Sequence, residues 1–347
     1  MTTSMIGLVK AERKAGAVLM ELPVPDIAPD EVRIRVKASS ICGTDMHIYH
    51  WDEWAEQNVV TPNVFGHEFA GVVDEVGSAV KGISPGDNVS AEGHIVCGDC
   101  KQCRSGNAHV CPNTRSFGIS APGCFADYAV TKAVNIIHND PSLPHELACL
   151  QDPLGNAVHT VLSGGIVGRS VAVIGCGPIG LMAIQVAKAV GAGRIIAVDL
   201  HDYRLSLAAK LGADACVKPV PGMDVAAELR RLTGGSGVEV GLEMSGNGGA
   251  INSLLEAMAN AGRVSLLGIP AKAVPIDLGR HIIFKGLQVH GITGRRMYQT
   301  WHQLKGLLDA GRIDLSRLVD YTFTLDRYEE AFQLMSSGQC AKIVFKH

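Results

Sequence analysis

The sequence has no apolar run long enough to cross a bilayer. The longest, 171–184, is broken by three glycines and a proline, and Gln185 and Lys188 follow at once. A helical span needs about 20 predominantly apolar residues, so this stretch reads as a buried strand turning into a helix. Charge of one sign is not in excess either: the net charge is −3 and the basic residues are scattered. That excludes the basic footprint of a nucleic-acid-binding surface and a polybasic membrane patch. The start, Met1-Thr2-Thr3-Ser4-Met5, lacks the basic flank and apolar segment of a secretory signal, so a cytoplasmic location is expected. There is no internal repeat and no low-complexity segment, which excludes solenoid and linker-type architectures.

What is present is an ordinary α/β composition. The 347 residues are 47% hydrophobic and 19% charged, with 40 glycines, enough for about two domains with substantial cores. Up to about residue 155 short β-rich segments lie between turn signals. In 31–38, Val32, Ile34 and Val36 alternate with Arg33, Arg35 and Lys37, the pattern of a half-buried strand. From about 156 strands and helices alternate, with strands expected at 170–174, 194–199, 215–217, 238–243, 263–267 and 287–292. Six strands in that alternation suit a doubly wound parallel sheet. After Gly294 the pattern changes to two amphipathic helices and a final strand at 341–345, and 295–347 is expected to rejoin the first domain.

Gly175-Cys176-Gly177-Pro178-Ile179-Gly180 follows the strand at 170–174 directly and opens a helix, and a second strand ends in Asp199, nineteen residues past Gly180. This is the dinucleotide fingerprint in its proper context. The glycines allow a tight turn, close approach of a pyrophosphate and helix–strand packing, and the helix N-terminus favours the anion. Asp199 can accept hydrogen bonds from a ribose and repels a 2′-phosphate, which favours NAD over NADP. Arg204 pulls the other way.

Ten cysteines in a chain without a secretory signal argue for metal ligation where they cluster. Cys97, Cys100, Cys103 and Cys111 place four thiols within fifteen positions, a spacing suited to a closed tetrahedral zinc site that pins a loop. A reactive zinc instead needs about three protein ligands and an open position. Cys42, His67 and one or both of Glu68 and Asp152 are the candidates. Gly66-His67-Glu68 alone is weak evidence for such a site.

Cys42-Gly43-Thr44-Asp45, Gly66-His67-Glu68, the four-cysteine loop and the glycine turn, in this order, resemble the zinc-dependent medium-chain alcohol dehydrogenases over nearly the whole chain. The resemblance implies a GroES-like, mostly β catalytic domain (1–155 and 295–347) and a Rossmann NAD-binding domain (156–294). It also implies one catalytic and one structural zinc per chain, and a homotetramer. Cys42 and His67 are then zinc ligands, Glu68 a ligand or exchangeable near-ligand, and Asp152 a third ligand or one acting through water. Thr44 and His47 match the family's proton relay. The stretches 47–54, 92–95, 152–160, 241–246 and 283–287 resemble members of that family that act on L-threonine, and this resemblance implies L-threonine or a similar secondary alcohol as the small-molecule substrate, with His94 facing it. Polyols and butanediol are the alternatives. Leu267, Gly268, Ile269, Ile292 and Thr293 are expected to join the glycine turn, Asp199 and Arg204 at the coenzyme.

Overall fold

The structure, a computed structural model, describes residues 4–347; residues 1–3, part of the stretch read for a targeting signal, lie outside the described residues. The chain divides into two compact units, one running through Pro153 and resuming at Val319–His347, the other Leu154–Leu318. Among the described residues no helix is long and apolar enough to cross a membrane.

The first unit begins with a hairpin of β1 (Ser4–Lys10) and β2 (Val18–Pro23), followed by β3 (Glu31–Ser40), two short helices α1 (Gly43–His50) and α2 (Glu53–Asn58), and β4 (Asn63–Val64). Next come β5 (Glu68–Val76), β6 (Asn88–Ala91), β7 (His94–Ile95), α3 (Lys101–Arg104), β8 (Arg115–Ser116), β9 (Tyr128–Lys132), β10 (Ile136–His138) and α4 (His145–Ala148). The alternation expected of β3 is observed: Val32, Ile34 and Val36 are buried and face a core that includes Phe65, Phe69 and Phe125.

Helix α5 (Gln151–Val161) precedes the second unit's sheet, formed by β11 (Ser170–Ile174), β12 (Arg194–Val198), β13 (Ala215–Val217), β14 (Val238–Glu243), β15 (Met258–Leu266) and β16 (Gln288–Gly291). Its order is β13-β12-β11-β14-β15-β16 and every pairing is parallel. That is the doubly wound arrangement, with helices α6 (Pro178–Ala189), α7 (Asp202–Leu211), α8 (Val225–Leu232) and α9 (Gly248–Ala257) as crossovers. Continuous apolar strands such as Val171-Ala172-Val173 are fully buried because both faces of the sheet are covered.

Residues 295–318, expected with the catalytic domain, belong to the second unit. Helix α10 (Gln299–Asp309) buries Trp301 and Leu304, and Gln185 on α6 exchanges hydrogen bonds with the Asp314 backbone at 2.9 and 3.2 Å. Only from β17 (Val319–Thr324) through α11 (Tyr328–Ser336) to β18 (Lys342–Lys346) does the chain rejoin the first unit. There β18 pairs antiparallel with β3, and Phe332 and Phe345 enter the same core as Phe65 and Phe125.

Candidate active site

Strands β3 and β5 pair antiparallel with Ser40 opposite Glu68. This register sets Cys42, two residues beyond Ser40, beside His67 and Glu68. The sulfur, ring nitrogen and carboxylate oxygen of the three all lie within 4.8 Å of one another. Gly66 is required at the entry to β5. Its φ is +88°, and a Cβ there would stand 2.6 Å from the Phe125 ring, so any side chain would be both strained and displaced.

Cys42 is the N-cap of α1, and its backbone N–H donates to Asp45 Oδ2 at 2.8 Å. The thiol therefore sits at the positive end of the helix dipole. Asp45, fully buried, brings its other oxygen to 3.6 Å from His67 Nδ1, too long for a hydrogen bond but close enough for its charge to act on the imidazole. Burial pushes the Asp45 carboxyl up to about 6, against the pull of His67. Burial would lower the His67 pKa, but the negative charge of Asp45, Cys42 and Asp152 overrides it and raises the pKa to about 10. The pocket thus carries more negative charge than its own side chains balance.

Glu68 is wholly buried. Its Oε2 accepts hydrogen bonds from Ser40 Oγ and from Lys342 Nζ, and Lys342, equally buried, also donates to Ile41 O at 2.9 Å. Oε1 of Glu68 is buried without a hydrogen-bond partner. Such an orphaned oxygen costs about 1–3 kcal/mol or more unless a cation takes it. A sulfur, an imidazole nitrogen and a carboxylate oxygen in surplus negative charge fit zinc. Asp152, on the first turn of α5, is buried and contributes charge to His67, but the structure does not bring it into the three-donor cluster.

The four-cysteine loop closes on itself. Cys97–Cys111 and Cys100–Cys103 are 3.5 Å apart, with Cys100–Cys111 at 3.8 Å and Cys97–Cys103 at 4.0 Å. These separations are too long for disulfides and match the edges of a tetrahedron around one ion. Backbone N–H groups of Cys103 and Asn113 donate to the sulfurs of Cys100 and Cys111, each at 3.4 Å. The donor set fits a closed zinc site with no position left for substrate.

Thr44 Oγ1 lies 3.9 Å from Cys42 Sγ, and His47 follows three residues later on the same side of α1. His47 Nδ1 is hydrogen-bonded to Asp52. His94, at the start of β7, is held at Nδ1 by the buried Glu92 at 2.6 Å, which also accepts from the His94 backbone N–H at 2.9 Å.

In the second unit Gly175 turns the chain at φ +91° after β11. A Cβ on Gly180 would lie 2.0 Å from Gly175 O, whereas one on Gly177 would meet nothing within 4 Å. Close helix–strand packing and an open approach are what the first-turn fingerprint supplies to a pyrophosphate, and Pro178 begins α6 at N1. Asp199, just past β12, accepts from Cys176 N–H at 2.7 Å and from the backbone and ring of His201 at 2.9 Å. Leu267-Gly268-Ile269 follow β15 and Ile292-Thr293 follow β16, so the expected coenzyme residues gather at the carboxyl ends of the strands, where open α/β sheets bind ligands. Arg204 lies on α7.

The supporting roles of Lys342, Ser40 and Asp45 were not anticipated. The one available signal was a lysine inside the apolar strand 341–345.

Residues 28–142 match the alcohol dehydrogenase GroES-like domain family, and 178–310 match the zinc-binding dehydrogenase family. The chain is 50% identical over 341 residues to L-threonine 3-dehydrogenase of Caldanaerobacter subterraneus subsp. tengcongensis, covering 98% of each chain. It is 48% identical over 340 residues to the enzyme of the same name from Bacillus subtilis strain 168, again covering 98% of each. Among solved structures, 2R,3R-butanediol dehydrogenase from Bacillus subtilis superposes with a TM-score of 0.89 at 29% identity, over 99% of this chain and 100% of that one.

Proposed function

The chain belongs to the zinc-dependent medium-chain alcohol dehydrogenase family, and we propose that it oxidises the β-hydroxyl of L-threonine to 2-amino-3-oxobutanoate with NAD as hydride acceptor. Full-length identity of 48–50% to L-threonine 3-dehydrogenases carries this reading, against 29% for the butanediol enzyme.

Cys42, His67 and Glu68 would hold the catalytic zinc, and the four-cysteine loop the structural one. As a Lewis acid, zinc brings the pKa of bound water from about 15.7 to about 7, and a substrate hydroxyl responds in the same sense. NAD, held at the glycine turn, would supply the acceptor for the hydride of the substrate β-carbon. The charge of Asp45 acts on His67, while Ser40 and Lys342 hold one oxygen of Glu68 so that the other faces the donor cluster. Asp152 adds negative charge beside His67. Thr44 takes the hydroxyl proton and His47 carries it outward, and His94, braced by Glu92, is assigned to the substrate. The glycine turn and the N-terminus of α6 hold the pyrophosphate, and Asp199 holds the adenosine ribose.

The homotetramer proposed for this chain would use β16. It is the edge strand of its sheet, and Val289 on it, with Ile283 and Phe284 just before, is exposed, Phe284 to 84%. A cytoplasmic location is supported by ten free thiols, four of them grouped for a metal.

The test is an NADH assay with L-threonine, sorbitol, 2,3-butanediol and 3-hydroxybutyrate. We expect L-threonine to exceed each of the others in kcat/KM; butanediol or sorbitol as the best substrate would refute the assignment. Replacing Asp199 by Ser is expected to raise the KM for NAD by roughly 10-fold or more and to admit NADP, because the carboxylate that accepts from a ribose and repels a 2′-phosphate is gone. An unchanged NAD/NADP preference in steady-state kinetics would remove Asp199 from the coenzyme site.

A further inference from the structure

The proton carrier His47 is more exposed than a relay group needs to be. Its side chain is 54% accessible and that of Asp52 is 44%, so neither burial nor packing alone would keep the ring in one orientation. Two other contacts do so. The ring of Trp54 lies 5.8 Å from that of His47, and Asp52 Oδ2 bonds to His47 Nδ1. The second oxygen of Asp52 accepts the Ala55 N–H at 3.0 Å and caps α2, so one carboxylate joins the end of α1 to the start of α2.

The corner between these helices is itself immobilised. Trp51 takes a left-handed conformation there (φ 56°, ψ 60°). Lys10 Nζ reaches across from β1 to the carbonyls of Gly16 at 2.7 Å and Tyr49 at 3.3 Å, and lies 5.0 Å over the Trp51 ring. Tyr49 stacks on Phe332 at 4.3 Å. Burial works to raise the Asp52 carboxyl, but hydrogen bonds from His47 and Ala55 outweigh it and hold the group below its usual range. It is therefore an anion at neutral pH and can only accept.

We infer that Asp52 is a positioning residue of the proton relay, fixing His47 as the Nδ1–H tautomer so that Nε2 stands open to receive the substrate proton. A neutral imidazole has one donor and one acceptor nitrogen, and the partner of the first decides the second. The proton leaving the substrate hydroxyl passes through Thr44 Oγ1 to His47 Nε2, the Nδ1–H stays with Asp52, and the resulting imidazolium, stabilised by the carboxylate, releases a proton to solvent. This rests on the relay reading above.

Asp52→Asn separates the two duties of the carboxylate. Asn caps a helix as well as Asp, so with its oxygen on Ala55 N–H the amide NH₂ faces His47 Nδ1 and inverts the tautomer. In zinc-loaded holoenzyme we expect kcat for L-threonine to fall at least about 10-fold, with KM within about 2-fold and thermal stability unchanged. His47→Asn should lower kcat about 100-fold, and the double variant no further. Long-range 1H–15N spectra should find the His47 proton on Nδ1 in the native protein and on Nε2 in Asp52→Asn. Normal turnover of Asp52→Asn alongside a crippled His47→Asn would overturn the inference and leave Asp52 as a helix cap, and so would multiplicative losses in the double variant. Full activity of His47→Asn would overturn the relay reading itself.

Discussion

Cys42→Ser is expected to leave a folded protein with one zinc per chain in place of two, and to lower turnover of L-threonine by at least about 1,000-fold, because the Lewis acid that would acidify the substrate hydroxyl is lost. Serine is a hard, weakly acidic donor where zinc favours a thiolate. Cys42 also contributes to the negative charge that raises the His67 pKa to about 10, so its loss weakens the pocket's demand for a cation. Cys97, Cys100, Cys103 and Cys111 form a separate cluster and should keep their ion. Metal analysis by mass spectrometry beside kcat checks this, and two zincs with near-native turnover would remove Cys42 from the shell.

The second large effect concerns stability. Lys342 and Glu68 are both wholly buried and ion-paired, and Ser40 and Ile41 O complete their hydrogen bonds. In metal-free protein Lys342→Met removes the counter-charge and leaves a carboxylate in a dry site. Breaking one side of such a pair costs about 3–5 kcal/mol, a fall in Tm of about 10 °C for a unit of this size. Combining it with Glu68→Gln should recover much of the loss, since no unpaired charge then remains. Scanning calorimetry of the two singles and the double reads this out, and a native Tm for Lys342→Met would show that the pair contributes nothing. The same substitution frees Glu68 to swing, so kcat should fall with it.

The centre of the parallel sheet was legible because its inner strands are buried on both faces and therefore read as apolar runs: 170–174 and 238–243 correspond to Ser170–Ile174 and Val238–Glu243. The strand at 263–267 begins earlier, at Met258, beyond Gly262, which has no hydrophobic signal of its own. The glycine turn was legible for a different reason, since each glycine answers a specific steric demand. Of the pocket proposed for the metal, Cys42, His67 and Glu68 come together as expected, but the residues that support them were not legible. Nothing local connects Ser40 to Glu68 or Lys342; they meet through antiparallel pairing of β3 with β5 and with β18, a long-range register that short-range pattern does not encode. For the same reason 295–318, expected with the first domain, falls in the second unit of the structure: its amphipathic helix shows an apolar face but not the partner that covers it. Ahead of α11 a 3-10 turn, Leu325–Arg327, buries Leu325, so the helix begins only at Tyr328.

The measurement that tests the proposed reaction most directly is the fate of the β-hydrogen of threonine. With L-threonine deuterated at the β-carbon and unlabelled NAD in ordinary water, the deuterium is expected at C4 of the NADH formed, with a slowed hydride step and no label in solvent. Unlabelled NADH, or deuterium released to water, would contradict the account.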